Sequence, residues 1–176
     1  MTNKTATAIL HTNHGDIAID LFGNHAPETV ANFVGLAKGT KEYFKPNASG
    51  TNEGPFYDGA IFHRIIDGFM IQGGDPTGTG TGGSQLPDLP AEFSPPAKAR
   101  FIRGTCGMAR TQDPNSANSQ FFIMFADGSS LNGQYTVVGE VVSGMDVVDK
   151  LKKASAGSPG GAVTDPDKMV KVQVAS

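Results

Sequence analysis

Hydrophobic positions along the chain recur at two periods. From Asp16 to Phe22, Ile17, Ile19 and Leu21 fall on one face and Ala18 and Asp20 on the other, the spacing of a half-buried strand. Thr5–Leu10 is β-prone, and the turn cluster Thr12-Asn13-His14-Gly15 separates it from the next run, so the pair reads as a hairpin. The same pattern predicts strands at Ala60–Ile65, Phe69–Gln72, Gly104–Ala109, Phe121–Phe125, Thr136–Val142 and Met169–Val174. In the last, Val170, Val172 and Val174 are expected on one face and Met169, Lys171 and Gln173 on the other.

Two runs follow the helical period instead. In Pro27–Lys38, Val30, Phe33, Val34 and Ala37 form one apolar stripe. Pro27 suits the first helical position and Gly39 the stop. In Gly144–Lys152, Met145, Val148 and Leu151 line one face, and Ser143 with Asp146 gives a capping signal. The fold expected is mainly β: a closed, eight-stranded antiparallel barrel with the two helices across its openings or flank. No repeat or composition shift divides the chain, so residues 1–176 read as one domain. The connections Gly39–Gly59 and Gly73–Arg103 are long and irregular, as functional loops often are.

Composition narrows the class. Gly (23) and Pro (11) together make about a fifth of the 176 residues, which excludes a helical bundle. The 38% hydrophobic content is enough for a globule. Lys and Arg (14) nearly balance Asp and Glu (17), with no basic run, so no nucleic-acid partner is expected. The lone Cys106 cannot form an intramolecular disulfide. No apolar run approaches the roughly 20 residues of a membrane span, and the N-terminus lacks the apolar core of a secretory signal. A cytoplasmic monomer with no membrane contact is the expectation.

Several motifs fail on their context. Gly78-x-Gly80-x-x-Gly83 matches the letters of a dinucleotide fingerprint, but Pro76 before it and Pro87 and Pro90 after it deny the flanking strand and helix. His11 and His14 have no carboxylate or Cys cluster nearby in sequence, so no metal is expected. Cys106 as a nucleophile would need an activating base, for which His63 is the only plausible partner, and a core position suits it better. No cofactor is expected.

One constellation remains. Arg64 lies on one predicted strand and Phe69, Met70 and Gln72 on the next, joined by a turn at Asp67-Gly68. Strands in a hairpin lie about 4.8 Å apart, so Arg64 and Gln72 can share a face. Further on, Gln120, Phe122 and Met124 alternate with Phe121, Ile123 and Phe125. Phe121 and Phe125 suit the core, which leaves Phe122 as an aromatic on a face that carries polar donors.

The segments FHRIIDGFMIQGGDPTGTG, GMARTQDPNSANSQFFI and LNGQYTVVGEVVSGMDVVDK resemble, in order, the cyclophilin-type peptidyl-prolyl cis-trans isomerases of the single-domain bacterial kind. The resemblance runs from about Thr7 to Val174. It implies an eight-stranded barrel capped by two helices, and acceleration of X-Pro bond rotation in peptides and in unfolded or folding proteins. It makes Arg64 the catalytic arginine, with Gln72 bonding the substrate backbone beside it. Phe69, Met70, Phe122 and Leu131 match the pocket that receives the proline ring, Phe69 standing with Arg64 and Gln72 in the catalytic group. Ala109 and Arg110 fall where the residue before proline binds, though many relatives have Asn in place of Arg110. Gln120 matches a lining residue of the adjoining pocket, Tyr135 stands where many eukaryotic relatives have His, and His63 joins the substrate-binding set. Ser130 replaces a Trp of the immunosuppressant-binding members, which implies weak binding of cyclosporin-like peptides. The other reading is a peptide-holding, chaperone-like module with little catalysis.

Overall fold

The computed structural model describes residues 4–40, 47–48, 50–51, 53–79, 82–84, 88–93, 100–151, 153, 161–163 and 166–175. Lys152, Gly80 and Pro87, which enter the sequence expectations above, lie outside them. Eight strands and two helices form in the order β1 (Ala6–Thr12), β2 (Gly15–Leu21), α1 (Pro27–Lys38), β3 (Arg64–Ile66), β4 (Met70–Gly73), β5 (Thr105–Met108), β6 (Phe121–Met124), β7 (Val137–Ser143), α2 (Met145–Lys150) and β8 (Met169–Ala175). All the strand pairs are antiparallel, in the spatial order β3-β4-β6-β5-β7-β2-β1-β8.

The sheet curls, but its ladder does not close as expected. β3 has only three residues, and its seam with β8 is made by the segments that precede each strand. Gly59 N–H donates to Met169 O (2.7 Å), Met169 N–H to Ala60 O (2.8 Å) and Phe62 N–H to Asp167 O (2.9 Å), and Ile61 bridges Lys168. The strand expected at Ala60–Ile65 is therefore mostly seam, and its regular part starts at Arg64. The other strands lie within two residues of expectation.

β8 departs in its facing. Met169 and Val172 are buried, whereas Val170 is 51% exposed. The register with β1 runs His11↔Lys171 and then Thr12↔Met169. Val170 is thus the extra residue of a bulge, and a bulge re-aims the side chains on either side of it.

In α1, Pro27 opens the helix and Gly39 ends it at φ +76, a left-handed conformation that costs glycine little. Its buried face is Thr29, Val30, Asn32, Phe33, Leu36 and Ala37, with Val34 at the margin. The N-cap, Ala26, has no side-chain acceptor. Glu92 supplies one from another part of the chain. Its carboxylate accepts from Glu28 N–H (3.1 Å), Thr29 N–H (2.7 Å) and Thr29 Oγ1 (2.6 Å). α2 is shorter than expected, and Ser143 does not cap it. Gly144, at φ +95, is the N-cap and no side chain bonds there.

Two apolar clusters fill the molecule. The larger gathers Leu10, Ile17, Phe33, Tyr57, Ile71, Phe121, Ile123 and Val172 among others. The smaller comprises Phe22, Met70, Phe101, Phe122, Met124 and Val137. Alternate residues of β4 and β6 go to each. Cys106 is buried in the larger cluster, and burial pushes its thiol well above the ordinary range, so it is no activated nucleophile. Among the described residues no group of three or more His, Cys, Asp or Glu could hold a metal, and no helix is long and apolar enough to cross a membrane. His11 sits between Asp16 (2.7 Å) and Gln173 (2.6 Å).

His63 is 8% exposed, and neither ring nitrogen has a hydrogen-bond partner among the described residues. Burial holds its pKa below the ordinary 6.5; Asp75 opposes that and Arg64 adds to it. The unfolded chain then binds a proton that the folded chain refuses, so stability falls as pH drops below about 6.5.

Two outcomes are expected. Glu92→Ala lowers unfolding free energy by about 1–2 kcal/mol, because α1 loses its acceptor and a favourable charge; denaturant titration measures it. Between about pH 7.5 and pH 5.5 the native protein loses more thermal stability than His63→Gln does, since glutamine does not titrate in that range. Parallel melts at the two pH values check this, and equal losses would contradict it.

Candidate functional site

The hairpin β3–β4 sets the site. Its register pairs Arg64 with Gln72, and a tight turn closes it, with Phe69 N–H donating to Ile66 O at 3.0 Å. Gly68 takes φ +75 in that turn. Phe69 is a turn residue here rather than a strand residue, and 36% of it is exposed. β6 lies against β4, with Gln72 opposite Phe122 and Met70 opposite Met124. On its other edge β5 places Gly107 opposite Phe122.

These strands support a cavity of about 180 Å³ lined by Arg64, Phe69, Met70, Gln72, Ala109, Arg110, Phe122, Leu131 and Tyr135. The floor is apolar: Met70 is 3% and Phe122 5% exposed. Phe122 stacks on Phe101 with ring centroids 5.6 Å apart and meets Tyr135 edge-on at 5.8 Å. Leu131 comes from a short 3-10 turn at Ser129–Leu131.

A chain of polar groups runs along one wall. Arg64 Nη1 donates to Gln72 Oε1 (3.2 Å), Gln72 Nε2 donates to Gln120 Oε1 (2.9 Å), and Gln120 Nε2 donates to Gly82 O (3.0 Å). The order of donors and acceptors fixes both amides. Gly82 is itself held by Asp75, a carboxylate 1% exposed that accepts from Gly82 N–H (3.1 Å) and from Thr77 N–H and Oγ1 (both 2.8 Å). Gly82 therefore braces the wall, and residues 82–84 and 88–93 form no helix.

Arg110 stands at the opposite side. Its guanidinium lies 4.4 Å from the Tyr135 ring centroid and 5.9 Å from that of Phe93. It donates to Gln134 O through Nε (3.1 Å) and Nη2 (2.7 Å), and to Thr111 O through Nη1 (2.8 Å).

Of the residues expected at the site, only His63 and Gln120 do not line this cavity. His63 is buried beside Arg64 in sequence, and Gln120 reaches the cavity through Gln72. Three residues escaped the sequence reading. Phe101 and Phe93 lie in irregular segments with no periodicity to mark them. Gly107 did carry a signal, since glycine inside a strand often marks close approach of another group. A Cβ there would stand 2.6 Å from both the Phe101 and the Phe122 rings.

Comparison with known proteins identifies the family. Residues 7–174 match the model of the cyclophilin type peptidyl-prolyl cis-trans isomerase/CLD family. A probable peptidyl-prolyl cis-trans isomerase of Brucella suis is 51% identical over 179 residues, covering 96% of this chain and 82% of its own. Peptidyl-prolyl cis-trans isomerase A of Mycobacterium tuberculosis is 52% identical over 164 residues, covering 92% and 88%. The crystal structure of a Cryptosporidium parvum cyclophilin type isomerase superposes with TM-score 0.80 at 29% identity, covering 97% of both chains. A second structure of that parasite protein, determined in the presence of the dipeptide Ala-Pro, gives TM-score 0.78 at 31% identity. With its strand order, its two helices and an arginine-rimmed apolar cavity on β3–β7, this chain belongs to the cyclophilin-type peptidyl-prolyl cis-trans isomerases.

Proposed function

We propose that this isomerase turns X-Pro bonds by seating the proline ring on Met70, Phe122 and Leu131 while Arg64 donates a hydrogen bond to the prolyl nitrogen. The observation that carries the reading is the pairing of Arg64 with Gln72 at the rim of an otherwise apolar cavity. The peptide bond resists rotation by about 18–20 kcal/mol because its nitrogen lone pair is delocalised into the carbonyl. Twisting the amide returns that pair to nitrogen, which can then accept a hydrogen bond. No nucleophile, acid or metal is needed for such a step.

Arg64 suits the task because its guanidinium stays charged and donates from a rigid fork. Gln72 turns it, and Gln120 with Gly82 holds Gln72. Phe69 shields the rim, and Ala109 and Arg110 flank the residue next to the proline. Water excluded from the floor strengthens the arginine bond as the amide twists. Raising exchange from about a hundredth per second to about a thousand per second takes about 7 kcal/mol. One charge-assisted bond and a preorganised pocket are a reasonable source for it.

The substrates proposed are proline-containing peptides and folding chains, like the Ala-Pro present with the parasite relative. Ser130 is exposed in the 3-10 turn and offers no indole, which supports weak binding of cyclosporin-like rings. A single buried thiol suits a reducing compartment, and the cytoplasm is the location proposed.

Arg64→Ala should reduce turnover of a short X-Pro peptide by more than about tenfold while the melting temperature stays nearly unchanged. A protease-coupled assay beside a thermal melt decides this; unaltered turnover sinks the assignment. A native protein that binds the peptide without speeding its exchange would be a holding module instead. Gly107→Ala should displace the Phe101–Phe122 stack, at a stability cost of about 1–3 kcal/mol. Its KM for the same peptide should rise, because the floor that receives the ring is moved.

A further inference from the structure

We infer that Arg110 gives this isomerase a preference for segments in which an acidic residue, Asp or Glu, adjoins the proline. The inference rests on the isomerase reading above and adds a charge-selecting residue to it. Strand order carries the first step. Across β3-β4-β6-β5-β7, Arg64 lies at the β3 end of the cavity, Phe122 on β6 in the middle, and Arg110 just past β5 beside Tyr135. A proline ring on Phe122 with its amide at Arg64 therefore has a second cation within the same cavity, on the far side of the ring.

That cation is placed before any ligand arrives. The Tyr135 ring lies on one side of the guanidinium, Phe93 is close by, and the carbonyls of Gln134 and Thr111 hold its nitrogens. All these partners are electrically neutral. No ion pair joins Arg110 to a carboxylate among the described residues. The acidic neighbours along the chain are engaged elsewhere: Asp113 Oδ1 accepts from Asn115 N–H (2.9 Å), and Glu92, next to Phe93, caps α1. Arg110 is half-buried, so its field reaches the cavity without full screening by water. A guanidinium already fixed in place loses little side-chain freedom when it meets a carboxylate.

The test compares two pairs of N-acetylated tetrapeptide amides, with exchange rates read by NMR so that no protease selectivity intervenes. One pair carries Glu or Gln before the proline (Ala-Glu-Pro-Phe, Ala-Gln-Pro-Phe). The other carries them after it (Ala-Ala-Pro-Glu, Ala-Ala-Pro-Gln). In one pair the native protein should favour Glu over Gln by about threefold to tenfold in kcat/KM at low salt, the size expected of a partly exposed charge pair. High salt should bring the ratio toward one. Arg110→Gln should abolish the preference and Arg110→Lys should keep part of it. Each ratio is internal to one variant, so a general loss of turnover leaves it readable, and Arg110→Asn replaces the Gln variant should that fail to fold. Ratios near one in both native pairs, or a preference that survives in Arg110→Gln, would overturn the inference. Failure of the native protein on all four peptides would count against the isomerase reading itself. In that event the ratios of Kd from NMR titration with the same peptides decide the preference of Arg110.

Discussion

β6 is shared between two apolar bodies, and the site depends on how that sharing is arranged. A strand sends successive side chains to opposite faces. Phe121 and Ile123 therefore enter the larger core while Phe122 and Met124 enter the smaller cluster beneath the cavity. A shift of one residue in register would exchange the two sets. The cavity floor is in this sense the reverse side of the barrel wall, and its rigidity is that of the wall. Gly107 completes the arrangement. By carrying no side chain opposite Phe122, it leaves room for the Phe101 and Phe122 rings to stack.

Over this floor the two sides of the cavity are built differently. One is a relay of amides that ends at Arg64 and is anchored, through Gly82, on the buried carboxylate of Asp75. In a poorly hydrated setting such bonds reinforce one another, and an unmade one is costly. The other side holds Arg110 with rings and carbonyl oxygens. Under the proposed function, the first side orients a donor toward the amide that turns. The second presents charge to whatever flanks it. Glu92 and Phe93 connect that side to α1, since one residue caps the helix and its neighbour packs by the guanidinium. A helix remote in sequence from the reaction thereby steadies the rim.

Much of the fold was legible because its cues are local. The alternation in β2, the stripe of α1 with Pro27 and Gly39 at its ends, and the Asp67-Gly68 turn each depend on a few neighbouring residues. The site was legible where two local motifs carried most of it: the β3–β4 hairpin with Arg64, Phe69, Met70 and Gln72, and the run around Phe122. The expectations that failed were those settled by partners far along the chain. Ser143 had the sequence of a cap, but Gly144 is the N-cap and the helix starts at Met145. Val170 had the periodicity of a core residue, but pairing with β1 put it in a bulge. The barrel was expected to close strand to strand, yet a three-residue β3 left the seam to main-chain bonds outside the ladder.

The sequence by itself determined the elements, the family they resemble and the residue types at the site, because periodicity, turn chemistry and motif order are written in consecutive positions. Only the tertiary structure decided where Gln120 stands, bonded to Gln72 rather than lining the cavity. It alone also showed that Gly107 makes room for two rings, that Glu92 caps a helix more than sixty residues away, and that rings and carbonyl oxygens hold Arg110 in place. Each of these depends on a distance between segments that are far apart in the chain. Such distances are set by strand pairing and close packing, and no window of neighbouring residues contains them.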